Sequence, residues 1–272
     1  MCYDGRNRST DFRTIPSVQA VMRILLLGEY SNVHHNLATG LRALGHDVIV
    51  ASDGDGWKNY KRDIDLKRHS TACLDSLKFL ARLKKHFHTF KDFDVVQIIN
   101  PVFLSLKAER IWKYYNFLRK NNKKLFLGAF GMDYYYVKTC LDCKTFRYSD
   151  FNFGDYIRES DENSIWIKDW LKGEKGKLNQ YIAKDCDGII AGLYEYYMSY
   201  RNDYNDKLIH IPFPIHLSTN VTYKKRGTES KIRFFIGIQQ KRSQYKGTDI
   251  MLNALLKLEQ NYPSSCEVNK VE

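Results

Sequence analysis

Apolar residues fall into two alternating patterns along this chain. Short, largely apolar runs occur at Ile24 to Leu27, Val48 to Ala51, Asp94 to Ile99, Lys124 to Phe130, Gly188 to Ala191 and Lys207 to Ile211. Such runs suit strands buried on both faces, as in a parallel sheet. Between them, apolar positions recur at helical spacing: Val33, Leu37, Leu41 and Leu44, then Leu74, Leu77, Leu80, Leu83 and Phe87, then Leu104, Ala108, Ile111, Tyr115 and Leu118. Each set makes one stripe on a helix. Two more helices are expected, over Ile165 to Lys184 and over Leu193 to Tyr200. Strand alternating with helix predicts an α/β fold with a doubly wound parallel sheet.

The stretch Met22 to Ser52 anchors this reading. Gly28 closes the first strand, Ser31 or Asn32 is expected to cap the following helix, and Gly45 to end it. Ligands of such sheets bind beyond the carboxyl ends of the strands, which places Gly28 to Asn36 and Ser52 to Asp55 at a site. Met132 to Asp155 is aromatic and aperiodic. Its length exceeds an ordinary connection and marks it as functional or disordered. Ile211-Pro-Phe-Pro-Ile215 stiffens the chain, and 215–230 reads as a linker. The alternation then resumes, with a strand Ile232 to Ile236 ending at Gly237. A helix Gly247 to Tyr262 follows, with Met251, Ala254, Leu255 and Leu258 facing inward. Residues 1–21 lack periodic apolar positions and read as a disordered extension, with Met22 as the natural start.

Composition narrows the class. Hydrophobic residues make up 43% of the 272, enough for a sizeable core. No apolar run approaches the roughly 18 residues of a membrane span, and the first residues lack the apolar segment of a secretory signal. A cytoplasmic location follows, with scattered, reduced cysteines. The formal charge of +12 favours anionic partners, whether phosphorylated substrates, acidic lipid or nucleic acid.

Several motifs are weighed against simpler readings. The Gly28 loop lacks the Gly-x-Gly-x-x-Gly of dinucleotide sites, since Tyr30 and Val33 stand where the later glycines belong. Cys140-Leu-Asp-Cys143 has metal spacing but no second ligand pair nearby, so ordinary thiols are favoured and no metal is expected. His34 and His35 open the helix facing the site, and either could orient or deprotonate a hydroxyl. The basic, aromatic segment Lys107 to Lys124 fits a membrane-surface or nucleic-acid face, but more simply a sheet-covering helix. The loop Gly237 to Gly247 follows a strand and opens a helix. Lys241, Arg242 and Lys246 there oppose the helix dipole unless an anion such as a diphosphate neutralises them.

Taken in order, these pieces resemble a GT-B fold glycosyltransferase of the family 4 type, of the bacterial polysaccharide-synthesis kind. The likeness rests on Met22-Arg-Ile-Leu-Leu-Leu-Gly28, Leu41-Arg-Ala-Leu-Gly-His-Asp-Val48, Asp94-Val-Val, Ile211-Pro-Phe-Pro214, Ile232-Arg-Phe-Phe-Ile-Gly237 and Lys246-Gly247. It implies two Rossmann-like domains, an acceptor-binding domain over 22–214 and a nucleotide-sugar-binding domain beginning at 231. It implies transfer of a hexosyl group from a nucleotide-sugar to a hydroxyl of a glycan or lipid-linked acceptor, with no further cofactor. Lys246 matches the family lysine at the donor diphosphate, with Gly28, Gly237 and Arg242 placed beside the phosphates. His34, His35, Asn100 and Asp133 fall where the acceptor binds. The family arginine after the glycine is replaced by Ile238, and the paired glutamates that hold ribose and donor sugar are missing. Only 42 residues follow Ser230, so the second domain is expected to comprise its first strand and helix, leaving the chain inactive alone. Two other readings stay open: a non-catalytic module that pairs with a separate donor domain, and a basic nucleic-acid-binding protein, which is the less favoured. Peripheral contact with the inner face of an acidic membrane is compatible with the charge.

Overall fold

The computed structural model describes residues 20–216, 231–238 and 246–271. The chain divides into two compact units, one of Met1–Tyr135 with Lys172–Ile215 and one of Tyr136–Leu171 with His216–Glu272.

The first unit is a Rossmann-like α/β layer structure. Its strands are β1 (Arg23–Leu27), β2 (Asp47–Ser52), β3 (Ile64–Asp65), β4 (Val95–Ile98), β5 (Lys124–Ala129), β8 (Gly188–Ala191) and β9 (Leu208–His210). They form one seven-stranded sheet in the order β3-β2-β1-β4-β5-β8-β9, and every pairing is parallel. Its helices are α1 (Val33–Ala43), α2 (Cys73–Phe87), α3 (Ala108–Asn121), α6 (Glu174–Asp185) and α7 (Tyr194–Tyr204). The alternation of β1 side chains explains the layering. Ile24 and Leu26 pack with Ala38 of α1 and with Val48 and Val50. Leu25 and Leu27 face a larger core that takes in Phe79 and Leu83 of α2, Ile111 and Tyr115 of α3, Leu178 and Ile182 of α6, and Tyr200 of α7. Each such fully buried side chain is worth roughly 1.5–3 kcal/mol in water-excluded area. Among the described residues no helix is long and apolar enough to cross a membrane.

Three local readings are corrected. Asn32 holds the N-cap position of α1, as one of the two expected residues, but it does not cap the helix with its side chain. Ser31 and Asn32 both take left-handed backbone, φ 51° and 68°. Glu29 reaches forward instead and accepts from the backbone N–H groups of His34 and His35 at 3.2 and 2.9 Å. The two-residue strand β3 was not among the expected strands. The expected single helix over Ile165 to Lys184 is α5 (Asp161–Ile167), a π-helical turn (Lys168–Lys172) and α6.

In the second unit, the aromatic stretch is ordered, not irregular. It contains α4 (Tyr134–Cys140), whose first two residues lie in the first unit, and the hairpin β6 (Asn152–Phe153) with β7 (Tyr156–Ile157). Asn152 organises the turn by donating to Phe146 O at 2.7 Å and to Gly154 O at 3.1 Å. Asn163 ties α5 to the same loop through Asp150 O and Arg158 O, and Ser160 caps α5. Further on, the expected strand is β10 (Ile232–Gly237) and the expected helix is α8 (Thr248–Asn261). A second strand, β11 (Cys266–Val271), pairs with β10 in parallel and was not expected. The segment is thus a complete strand–helix–strand unit. Met251 and Ala254, expected inward, are exposed, and the helix half-buries Leu252, Leu255, Leu256 and Leu258. Residues 1–19 of the extension expected to be disordered (1–21), most of the linker (217–230) and the loop 239–245 lie outside the described residues.

Candidate functional site

The sheet order reverses between β1 and β4, so the crossovers diverge on either side of that pair and leave a crevice beyond their carboxyl ends. A cleft of about 210 Å³ lies there, lined by Gly28, Glu29, Tyr30 and Asp53 and by Ile99, Phe103 and Ser105. Gly28 is required on two counts. Its φ is +85°, and a Cβ would stand 2.2 Å from Ile99 Cγ2. The glycine lets the β1 loop close against the end of β4, and its N–H bonds Ala51 O at 2.9 Å.

The polar lining is acidic. Asp53 accepts from Ser105 Oγ at 3.2 Å and from the backbone N–H of Asp55 at 3.0 Å. Asp55 accepts from the backbone N–H of Ser31 at 2.8 Å and pairs with Lys58 at 2.6 Å. Burial pushes the phenol of Tyr30 up, and Asp53, Asp55 and Asp133 add to the effect, so the ring stays a neutral hydroxyl donor. Glu29 is 1% exposed. Burial raises its carboxyl from 4.5 to about 7, against the pull of the backbone N–H groups it accepts from. Among the described residues no lysine or arginine lines the cleft. Its chemistry is that of acceptors and a phenol beside apolar walls, which suits a ligand rich in hydroxyl groups.

The expected site residues take different places. His34 is fully buried beneath this loop. Its Nδ1 lies 2.7 Å from Gly28 O and its Nε2 lies 3.2 Å from Gln97 Nε2. A carbonyl only accepts, so Nδ1 carries the proton and Nε2 accepts from the amide. Burial lowers its basicity from 6.5 to about 4. His34 therefore positions the loop and is a neutral ring at ordinary pH. His35 turns to a separate hollow of about 540 Å³ with Arg42, Tyr60, Arg62 and Asp63. Asn100 bridges the ends of β4 and β5, donating to Met132 O at 3.3 Å and accepting from the backbone N–H of Val102 at 3.0 Å. Asp133 is fully buried and accepts from Tyr200 Oη at 2.7 Å. Asn179 donates to the same Oη at 3.0 Å and accepts from Tyr134 N–H at 2.9 Å.

In the second unit Gly237 ends β10 and is exposed, and Lys246 is exposed just before Gly247, the left-handed cap of α8. Arg242 lies outside the described residues. Among the described residues, no group of three or more His, Cys, Asp or Glu side chains is arranged to hold a metal ion. Residue-type reasoning missed Glu29, Tyr30 and Ser105. The available signal for Glu29 was a carboxylate directly after the first strand and just ahead of a helix start.

The fold and this crevice define a Rossmann-like α/β protein with a cleft at its topological switch point. No protein-family model matches the chain, and no curated protein matches it.

Proposed function

We propose that the first unit binds the acceptor of a glycosyl transfer, and that the chain is a GT-B-like glycosyltransferase acting on a glycan or lipid-linked acceptor with a nucleotide-sugar donor. The observation that carries this reading is the switch-point cleft, where Asp53, Ser105 and Tyr30 converge beside apolar walls with no lysine or arginine among the described lining residues. Carboxylates and phenols hydrogen-bond sugar hydroxyls well, and the carboxylate charge repels phosphate. The acceptor role therefore belongs to this cleft. The donor diphosphate belongs to the second unit, whose strand–helix–strand segment carries Lys246 at a helix start. Contact with an acidic membrane would bring a lipid-linked acceptor to such an enzyme, and the net charge of +12 supports it.

The test is calorimetric titration of the whole chain with mono- and oligosaccharides and, separately, with nucleotide-sugars. A saccharide should bind, and Asp53→Asn with Ser105→Ala should weaken it about tenfold, on the order of 1.4 kcal/mol. Nucleotide-sugar affinity should survive that change and fall with Lys246→Ala. Absence of saccharide binding, or saccharide binding indifferent to the cleft variant, would overturn the reading.

A further inference from the structure

A second hollow of about 390 Å³ lies between α2 and α3. Its floor is apolar, made by Leu80, Phe87, Tyr114 and Phe117, and its rim carries Lys84, His88 and Lys113. Topology sets its position. Helices in parallel crossovers run back from the carboxyl edge of the sheet to its amino edge. Helix α2 contributes mainly its later turns and α3 its middle turns, so the hollow lies away from the switch-point cleft.

Two further observations bear on what covers it. First, α2 exposes leucines in its early turns, before those that line the hollow. Leu74 and Leu77 are 72% and 58% exposed, on one stripe with Ala81, Lys84 and His88. A helix in water normally turns such positions inward. Second, the cations are uncompensated. Among the described residues no ion pair engages Lys78, Lys84, Lys85 or Lys113. The acidic residues of the two helices, Asp75 and Glu109, sit in their first turns, Asp75 next to Leu74 and Glu109 one turn before Lys113, and among the described residues neither forms an ion pair with these lysines.

We propose that this α2–α3 face docks on an anionic phospholipid bilayer, with Leu74 and Leu77 entering the interface, an acyl chain occupying the hollow, and lipid phosphates meeting Lys84, Lys85 and Lys113. This deepens the membrane part of the proposed function. Charge complementarity with an acidic leaflet identifies the partner. A nucleic acid would use the lysines and leave the leucines and the phenylalanine floor unused. A second copy of the chain would set the same cations against one another.

The experiment is co-sedimentation of the full chain with vesicles of phosphatidylcholine alone and of an equal mixture with phosphatidylglycerol. Three proteins are compared: wild type, Lys84→Glu with Lys113→Glu, and Leu74→Asp with Leu77→Asp. All four positions are solvent-exposed, so the fold should survive, and thermal melts verify that it does. Binding should favour the mixed vesicles at least about tenfold and fall about tenfold in each variant. Equal binding to both vesicles, or full binding by the leucine variant, overturns the proposal. So does self-association, or RNA binding, that both variants abolish while wild type ignores vesicles. Saccharide titration of the same variants separates this outcome from failure of the acceptor reading, because the cleft is unaltered in them.

Discussion

Replacing Glu29 by Gln should tilt a stability profile that is flat in the wild type. The carboxyl of Glu29 is raised from 4.5 to about 7 by burial, and the imidazole of His34 is lowered from 6.5 to about 4 by burial. Between pH 4.5 and 6.5 the unfolded chain holds a proton on His34 and none on Glu29, and the folded chain holds it the other way round. Folding moves one proton from the ring to the carboxyl with no net uptake. The signs oppose each other. The raised Glu29 contributes stability that is complete below pH 4.5 and lost as pH rises through about 7. The lowered His34 contributes stability that is complete above pH 6.5 and lost as pH falls through about 4. Each group alone has a slope of at most about 1.4 kcal/mol per pH unit, so across the shared window each amounts to roughly 2–3 kcal/mol. In Glu29→Gln only the His34 slope remains, and stability should climb with pH over that window. For a chain of this size the rise in Tm should be roughly 4–12 °C. His34→Gln should tilt the profile the other way. The assay is far-UV circular dichroism melting at closely spaced pH values, read as the difference between variant and wild type. Groups common to both then cancel. A Glu29→Gln profile parallel to the wild type would refute the reasoning.

Other outcomes follow from the same geometry. Gly28→Ala combines a left-handed φ with a methyl driven into Ile99 Cγ2, and urea unfolding should show a loss of roughly 2–4 kcal/mol. Ile99→Ala should recover only part of that loss, because the backbone strain remains. Tyr200→Phe removes the hydroxyl between Asp133 and Asn179 and should cost about 1.5–3 kcal/mol, with an unchanged denaturant slope. Thiol labelling read by mass spectrometry should modify the exposed Cys73 first. Cys140 and Cys186 should stay unmodified until the chain unfolds, since burial pushes their thiols up to about 12 and about 11.

The elements legible in the sequence are those whose burial is one-sided or complete. β1, β2 and β5 carry continuous apolar runs because both sheet faces are covered, and α1, α2 and α3 carry an apolar stripe toward the sheet, although Leu44, Leu74 and Leu77, expected on it, are exposed. α4 escaped because Tyr134, Tyr135, Tyr136 and Val137 are apolar in succession, which erases the helical period. β11 escaped because its polar residues, Glu267, Asn269 and Lys270, interrupt any apolar run. β3 is only two residues long. At the site, the position of the cleft was legible from the strand–helix–strand pattern, but its chemistry was not. Histidines in a first helical turn suggested proton transfer, yet one is sealed beneath the loop and the other faces elsewhere. Ser31 and Asn32 are good capping residues by type, but their left-handed backbone passes that role to Glu29. Tertiary geometry overrode residue type at each of these points.

The position of β1 in the middle of the sheet has a consequence for synthesis. It is the first strand of this sheet to leave the ribosome, and β2 can pair with it soon afterwards. Its other neighbour comes much later: Leu27 pairs with Ile98, about seventy residues downstream. At bacterial-to-eukaryotic elongation rates of about 5–20 residues per second, that edge of β1 waits roughly 4–14 s for its partner. During that time the nascent chain presents an unpaired strand of leucines, and the cleft, which needs the end of β4 for its second wall, does not yet exist.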